Sequence, residues 1–418
     1  MTSPFRTFAA LAALALSLGA SAQEEIRIGV LYPLTGAAAS TGIELKNAAQ
    51  LAADLINGTD KSLGLPLAGA GGLPGLKGAK IKLVFADHQG NPQVGATEAE
   101  RLIAEHKVAA LQGAYFSTVT TTASQVAERN GVPFLNADSS SPALTQRGFK
   151  WFFRTTPHDE LFVQNAFEFL RDLKAKKGFA QPKRIAIFAE NTEFGTGAAK
   201  LQEKYAKENG FEVVEKVLYP PKGTQLTSEV QKLKASRPDL VMQSSYLGDA
   251  ILSMKTYKDL GFLPTALLAN DAGFNDSEFL KTMGKDGNFV ISREVWALDL
   301  GAKKPVIARA NALLQARHGV NFNGNSARAF TGVFALADAI NRAGSTRPEA
   351  IQKALQQTNI PGADLIMPWG GIQFDATGQN TKGAGIIVQV QDGKYVTVWP
   401  FDLASKDVIW PMPAWDKR

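Results

Sequence analysis

Short continuous apolar runs alternate along this chain with stretches whose apolar residues recur every three to four positions. Most runs end in a small polar loop. Ile26–Tyr32 reads as a buried strand, followed by a small-residue loop through Thr35 to Gly42. A helix comes next, with Leu45, Ala48, Ala49, Ala52, Leu55 and Ile56 on one stripe. Residues 58–79 are rich in Gly and Pro and read as a surface loop. Lys80–Phe85 is a strand and Asn91–His106 a helix. The segments Val108–Leu111, Val119–Asn130 and Val132–Leu135 then predict strand, helix and strand, opening into Asn136–Ser141. Buried strand, polar loop and helix in this rhythm predict a parallel α/β sheet.

The rhythm restarts at Arg184. Strands are predicted over Arg184–Ala189, Phe211–Leu218, Asp239–Gln243 and Ala266–Ala269, with helices between them. The repeat is one of architecture, not of sequence, and predicts two similar α/β lobes. Ligands of open α/β sheets sit beyond the carboxyl ends of the strands. One lobe therefore offers Thr35–Thr41, Ser117 and Ser139–Ser141 to a shared cleft. The other offers Glu190–Phe194, Ser244–Tyr246 and Asp271. Several crossings between the lobes predict a hinge. Near the end, Thr346 and Glu349 predict a capping box, with Pro348 at the first helical position.

Composition narrows the classes. The 418 residues contain no cysteine, which excludes disulfides, thiolate metal sites and a lipid-anchored cysteine. Arg6, the apolar stretch Phe8–Leu18 and Ala20-Ser21-Ala22 predict a secretory signal over residues 1–22, cleaved after Ala22. That stretch is too short to span a bilayer. With Arg6 removed, 44 basic residues face 39 acidic ones, a net charge of +5 spread along helices. Nucleic acid is not an expected partner.

Catalytic signatures are absent from the sequence. Neither GxSxG nor HExxH occurs, and His88, His106, His158 and His318 have no metal-ligand spacing. Gly195-Thr196-Gly197 lacks the third glycine of a nucleotide loop and reads as packing at a helix start. The cleft loops say more. Ser117 and Ser139–Ser141 sit at predicted helix starts, where hydroxyls and backbone N–H groups suit either a helix cap or a bound carboxylate. Asp159 suits either an N-cap or a cation, and Asp271 ends a strand of the second lobe. Hydroxyls on one side, with two acids and the phenol of Tyr246 on the other, are complementary to a small zwitterion.

Several segments carry a family resemblance: IRIGVLYPLTG, LAADLIN, the block from GAYFSTVTTTASQVAERNGVPFLNADSSSPALTQRG to FRTTPHD, RIAIFAENTEFGTG and PDLVMQSSYLG. The chain resembles the Leu/Ile/Val-binding proteins, type I periplasmic receptors of ABC importers, over nearly its whole mature length. The resemblance implies two Rossmann-like lobes with parallel sheets, joined by a three-crossing hinge. Residues 23–155 with 295–372 would form one lobe, and 156–294 with 373–418 the other. It implies that Ser117 and Ser140 bind a ligand carboxylate, with Asp138 and Ser139 lending backbone N–H groups. Asp159 would receive an α-ammonium, helped by Tyr246 and by Asp271, where relatives often carry Glu. Phe194 stands where amino-acid binders often have Tyr, and Thr41 replaces an aromatic of some relatives. Tyr115, Phe116 and Phe194 would face the ligand side chain.

The expected protein is thus a periplasmic, monomeric receptor, not an enzyme, without cofactor or metal. It would take a branched-chain, apolar or aromatic amino acid in the inter-lobe cleft and deliver it to an ABC permease. The alternative is a receptor for another small carboxylate or amide, such as an aromatic acid, or a sensory module.

Overall fold

The computed structural model describes residues 25–418; the predicted signal segment and its cleavage point lie outside the described residues. The first unit runs β1 (Glu25–Tyr32), α1 (Ala39–Asn57), β2 (Lys80–Asp87), α2 (Pro92–Ala104), β3 (Ala110–Gly113), α3 (Ser117–Asn130), β4 (Phe134–Asn136) and β5 (Phe152–Arg154). Its strands form a parallel sheet in the order β2-β1-β3-β4-β5. The second unit runs α4 (Asp159–Lys177), β6 (Arg184–Glu190), α5 (Glu193–Glu208), β7 (Glu212–Tyr219), α6 (Thr227–Ser236), β8 (Leu240–Ser244), α7 (Leu247–Asp259), β9 (Ala266–Ala269), α8 (Ser277–Met283) and β10 (Ile291–Glu294). Its parallel strands repeat the same order, β7-β6-β8-β9-β10.

The strands of β8, β9 and β10 are buried at every position. Helices cover both faces, so none of these strands has a solvent face; β9 is wholly apolar, while the polar residues of β8 and β10 are buried at their carboxyl ends. In each sheet the strand order reverses beside the first strand. The reversal opens a crevice at the carboxyl ends, between β1 and β3 in one lobe and between β6 and β8 in the other. Both crevices open onto the same cleft.

The remaining chain completes both lobes with α9 (Pro305–His318), α10 (Gly324–Ala343), α11 (Pro348–Gln356), β11 (Asn359–Pro361), β12 (Gly371–Gln373), β13 (Ile386–Gln391) and β14 (Lys394–Trp399). Helix α10 is buried nearly all round, packs on α1, and carries Arg328 to the cleft. β13 and β14 extend the second sheet antiparallel, beyond β10. The chain passes between the lobes after β5, after β10, and between Asn380 and Ile386. Asn380 still bonds to Arg154 of β5, through its N–H at 2.9 Å. The third passage therefore lies several residues beyond the 372/373 boundary suggested by the sequence.

Two local expectations need correction. The 58–79 segment is not a simple surface excursion, because Leu63 and Leu73 are fully buried in the first-lobe core. Its glycines shape the turns while its leucines anchor them. The capping box at Thr346 does not form: Arg347 is the N-cap of α11 and no side chain caps it, although Pro348 does take the first position.

Candidate ligand-binding cleft

The serines of the first-lobe edge offer neutral groups. Ser117 opens α3, and the preceding Phe116 supplies no side-chain cap. Of the first N–H groups of the helix, that of Ser117 meets the Tyr246 hydroxyl, and the buried Ser117 Oγ has no protein partner. The 136–141 loop is held by Asn136, whose Oδ1 accepts the N–H groups of Asp138 at 3.0 Å and Ser139 at 2.8 Å. Those two N–H groups, expected to serve a ligand, are engaged within the loop. Ser139 Oγ lies 2.6 Å from Thr120 Oγ1 and donates to the Tyr115 carbonyl at 2.9 Å. Ser140 accepts from Arg293 Nη2 at 3.4 Å through its hydroxyl, and its carbonyl takes the Asp159 N–H at 2.9 Å.

The second-lobe edge is charged. Asp159 is the first residue of α4, behind the N-cap His158, so it is not itself the cap. It is fully buried; its Oδ1 accepts from Asn270 Nδ2 at 3.1 Å and Arg293 Nη2 at 3.4 Å, while Oδ2 has no protein partner. Asp271 sits between two guanidinium groups. Arg293 Nη1 reaches its Oδ2 at 2.6 Å and Arg328 Nη1 reaches the same oxygen at 2.8 Å. Asn275 Nδ2 donates to its Oδ1 at 2.9 Å. Arg293 also bonds Asn270 Oδ1 at 2.9 Å and lies over the Phe162 ring at 3.7 Å. Arg328 Nε stands 3.7 Å from Asp138 Oδ1 and makes no hydrogen bond.

Neither arginine was read from the sequence as a site residue. Arg293 lies within a fully buried strand, between Ser292 and Glu294, and Arg328 within a buried helix. A charge in the middle of such a run was the available signal, since arginine is almost never fully buried unless paired. Asn136 and Asn270, which orient Ser139 and Asp159, were also missed.

Burial sets the protonation of this cluster. It pushes the Asp138 carboxyl up to about 7 against the pull of Arg328, and it raises Asp159 against the pull of Arg293. Burial opposes charge on Asp271 as well, but Arg328 and Arg293 together hold that carboxyl below its usual range. Tyr246 is raised by burial and by Glu190, so it remains a phenol, with its hydroxyl facing the Ser117 backbone N–H.

Aromatic rings bridge the lobes. Phe116 and Tyr246 have centroids 4.3 Å apart, Tyr115 and Tyr246 5.5 Å, and Phe194 and Tyr246 5.2 Å. Phe194 follows the close turn after β6, where a Cβ on Gly195 would stand 2.1 Å from the Glu190 carbonyl. That close approach explains the glycine and agrees with helix-start packing. Polar contacts also join the lobes: Thr41 Oγ1 donates to Asp276 Oδ2 at 2.5 Å, Thr121 Oγ1 to Glu193 Oε2 at 2.7 Å, and Ser277 Oγ to Glu44. Thr41 is therefore engaged at the lip with Asp276. With these contacts made, the two edges face each other in a closed arrangement.

This architecture and cleft have relatives. The sequence matches the family described as Periplasmic binding protein over residues 25–394. The chain belongs to that family. It is 30% identical over 398 residues to Leu/Ile/Val-binding protein homolog 8 of Brucella abortus, covering 94% of each chain. Homolog 7 from the same organism is 28% identical over 408 residues, 96% of this chain and 98% of the relative. Among solved structures, the branched-chain amino acid binding protein LivJ of Streptococcus pneumoniae in complex with isoleucine superposes with a TM-score of 0.74. It is 21% identical and covers 93% of this chain and all of its own. A Rhodopseudomonas palustris solute-binding protein in complex with 4-hydroxybenzoate also gives 0.74, at 20% identity, covering 90% of this chain and 95% of its own. As a family member this chain is a periplasmic substrate-binding protein of the ABC-transporter type, serving transport rather than catalysis. Among the described residues no helix is long and apolar enough to cross a membrane.

Proposed function

We propose that the cleft receives a free amino acid with an apolar or aromatic side chain and that the closed protein delivers it to an ABC permease. One observation carries this reading: Ser117 Oγ and Asp159 Oδ2, both buried and both without a protein partner, belong to opposite lobes of one cleft. A carboxylate suits the Ser117 end, where the α3 N–H groups and the Tyr246 phenol are donors. An ammonium suits Asp159 Oδ2, whose burial would otherwise favour the neutral acid. Tyr115, Phe116, Phe194 and Tyr246 supply the apolar wall. In this reading Asp271 positions the two arginines rather than the ammonium, and Thr41 belongs to the closing lip. Asp138 and Ser139 shape the donor loop through Asn136.

Closure follows from the division of labour. Each lobe holds half of the ligand contacts, so only the closed state satisfies both ends, and ligand shifts the population toward it. A second reading, an aromatic carboxylate, draws support from the unbonded Arg328 Nε beside a raised Asp138, a pair that accommodates an anion without an ammonium. Titration calorimetry with an amino acid and its deaminated analogue separates the two. The amino-acid reading requires the analogue to bind the native protein far more weakly; equal or tighter binding of the analogue overturns it.

A further inference from the structure

A second cavity, of about 560 Å3, lies on the far side of β10 from the ligand cleft. Arg293 and Glu294 are consecutive strand residues and project to opposite faces. Arg293 turns to the charge cluster, whereas Glu294 lines this cavity with Asn275. The walls come from both lobes. Trp296 and Phe322 belong to the first-lobe side, and Leu280, Tyr395 and Val396 to the second.

The inner end is built from buried polar groups that lack partners. Glu294 is 2% exposed; its Oε2 accepts the Val295 N–H at 2.6 Å, and its Oε1 has no protein partner. Asn275, 1% exposed, spends its amide N–H groups on Asp271 and the Arg293 carbonyl, leaving Oδ1 unbonded. Gly324 lets the Glu294 carboxyl lie against the start of α10, for a Cβ there would stand 1.8 Å from Oε1. The other charged groups lining the cavity are Asp299 and Lys394. Asp299 already accepts from Thr397 at 2.6 and 2.9 Å, and Lys394 is exposed at the rim.

We propose that this cavity is a second binding site, for a small apolar amine whose ammonium group bonds Glu294 Oε1 and Asn275 Oδ1. The free Asn275 Oδ1 calls for a donor, and an ammonium beside Glu294 lets a carboxyl that burial raises to about 8 ionise and accept as well. An anion would meet Glu294, and a hydrocarbon would leave both acceptors unsatisfied. Trp296, Phe322 and Val396 suit the apolar body. The proposal does not depend on which ligand fills the main cleft.

Calorimetric titration of the full mature protein with benzylamine, beside toluene and benzoate, tests it. Benzylamine is expected to bind saturably and more tightly than either control. Glu294→Gln should weaken it by about tenfold or more, as expected for losing a bond to a charged group. Leu280→Trp, a change at a half-buried wall position, should fill the cavity and abolish binding even if Glu294→Gln does not fold. Asp159→Asn, in the main cleft, should leave benzylamine binding unchanged. Failure of the native protein to bind benzylamine, or binding that persists in folded Leu280→Trp, overturns the proposal. So does benzylamine binding that is lost in folded Asp159→Asn.

Discussion

The two edges of the cleft solve the same problem with opposite chemistry. The serines of the first-lobe edge are neutral and local: Ser117, Ser139 and Ser140 are held by a helix start and by the Asn136 turn, all within one stretch of chain. The second-lobe edge is charged and distant. Asp159, Asp271 and Arg293 come from three separate elements, and Arg328 enters from the other lobe. A neutral hydroxyl can be buried at modest cost while it awaits a ligand. A carboxylate cannot, so each acid here is tied to a guanidinium or drifts toward its protonated form. In the proposed reading, specificity for charge resides in a cluster whose Arg328–Asp271 pair also joins the two lobes.

The largest expected effect breaks that cluster. Arg293→Met leaves Asp271 one guanidinium short and removes the ion-pair partner of Asp159, and should cost about 3–5 kcal/mol of stability. Denaturant unfolding measures it. A change on the scale of a surface pair would mean that the second edge is as loosely held as an exposed one. Next comes Asp159→Asn, expected to weaken an amino acid about a hundredfold while hardly affecting its deaminated analogue. Calorimetry on both ligands decides whether the second edge reads charge. Ser117→Ala sharpens the contrast from the other side. It removes one bond to a carboxylate, so both ligands should weaken together, by about tenfold.

The effect that is smallest when reckoned per pH unit lies at the lip. Burial, and then the adjacent Asp276, push Glu44 from its ordinary 4.5 up to about 8 in the closed arrangement, while Asn323 donates to it at 2.7 Å. A closed state that binds the extra proton is favoured at low pH. Affinity should therefore fall as pH rises from about 4.5 to 8 and level off above, by at most about tenfold per pH unit. Glu44→Gln should flatten part of that slope. An unchanged profile in the variant would remove the lip from the account and leave the slope to Asp138 and Glu294, which burial also raises, to about 7 and about 8.

Much of this was legible in the residues. Continuous apolar runs marked the strands because both sheet faces are covered, and the repeated order marked two lobes. Ser117, Asp159 and Tyr246 were reachable because a residue at the carboxyl end of a strand is placed by local connectivity alone. Arg293 and Arg328 were not. Their significance depends on which acids stand opposite, and Asp271 lies 22 positions from Arg293 and 57 from Arg328. Asp138 and Ser139 misled for a related reason: whether a loop N–H is free depends on where the Asn136 side chain turns.

The sequence by itself determined the strand–helix order, the two lobes and the strand ends that face the cleft. These rest on periodicity and on contacts between near neighbours in the chain. Only the tertiary structure decided which charges pair, which acids stay protonated, where the third crossing runs, and that a cavity backs the cleft at Glu294. Each of these depends on burial and on partners remote in sequence. Electrostatic energy in a low-dielectric interior depends on distance in space, and the order of residues along a chain does not specify that distance.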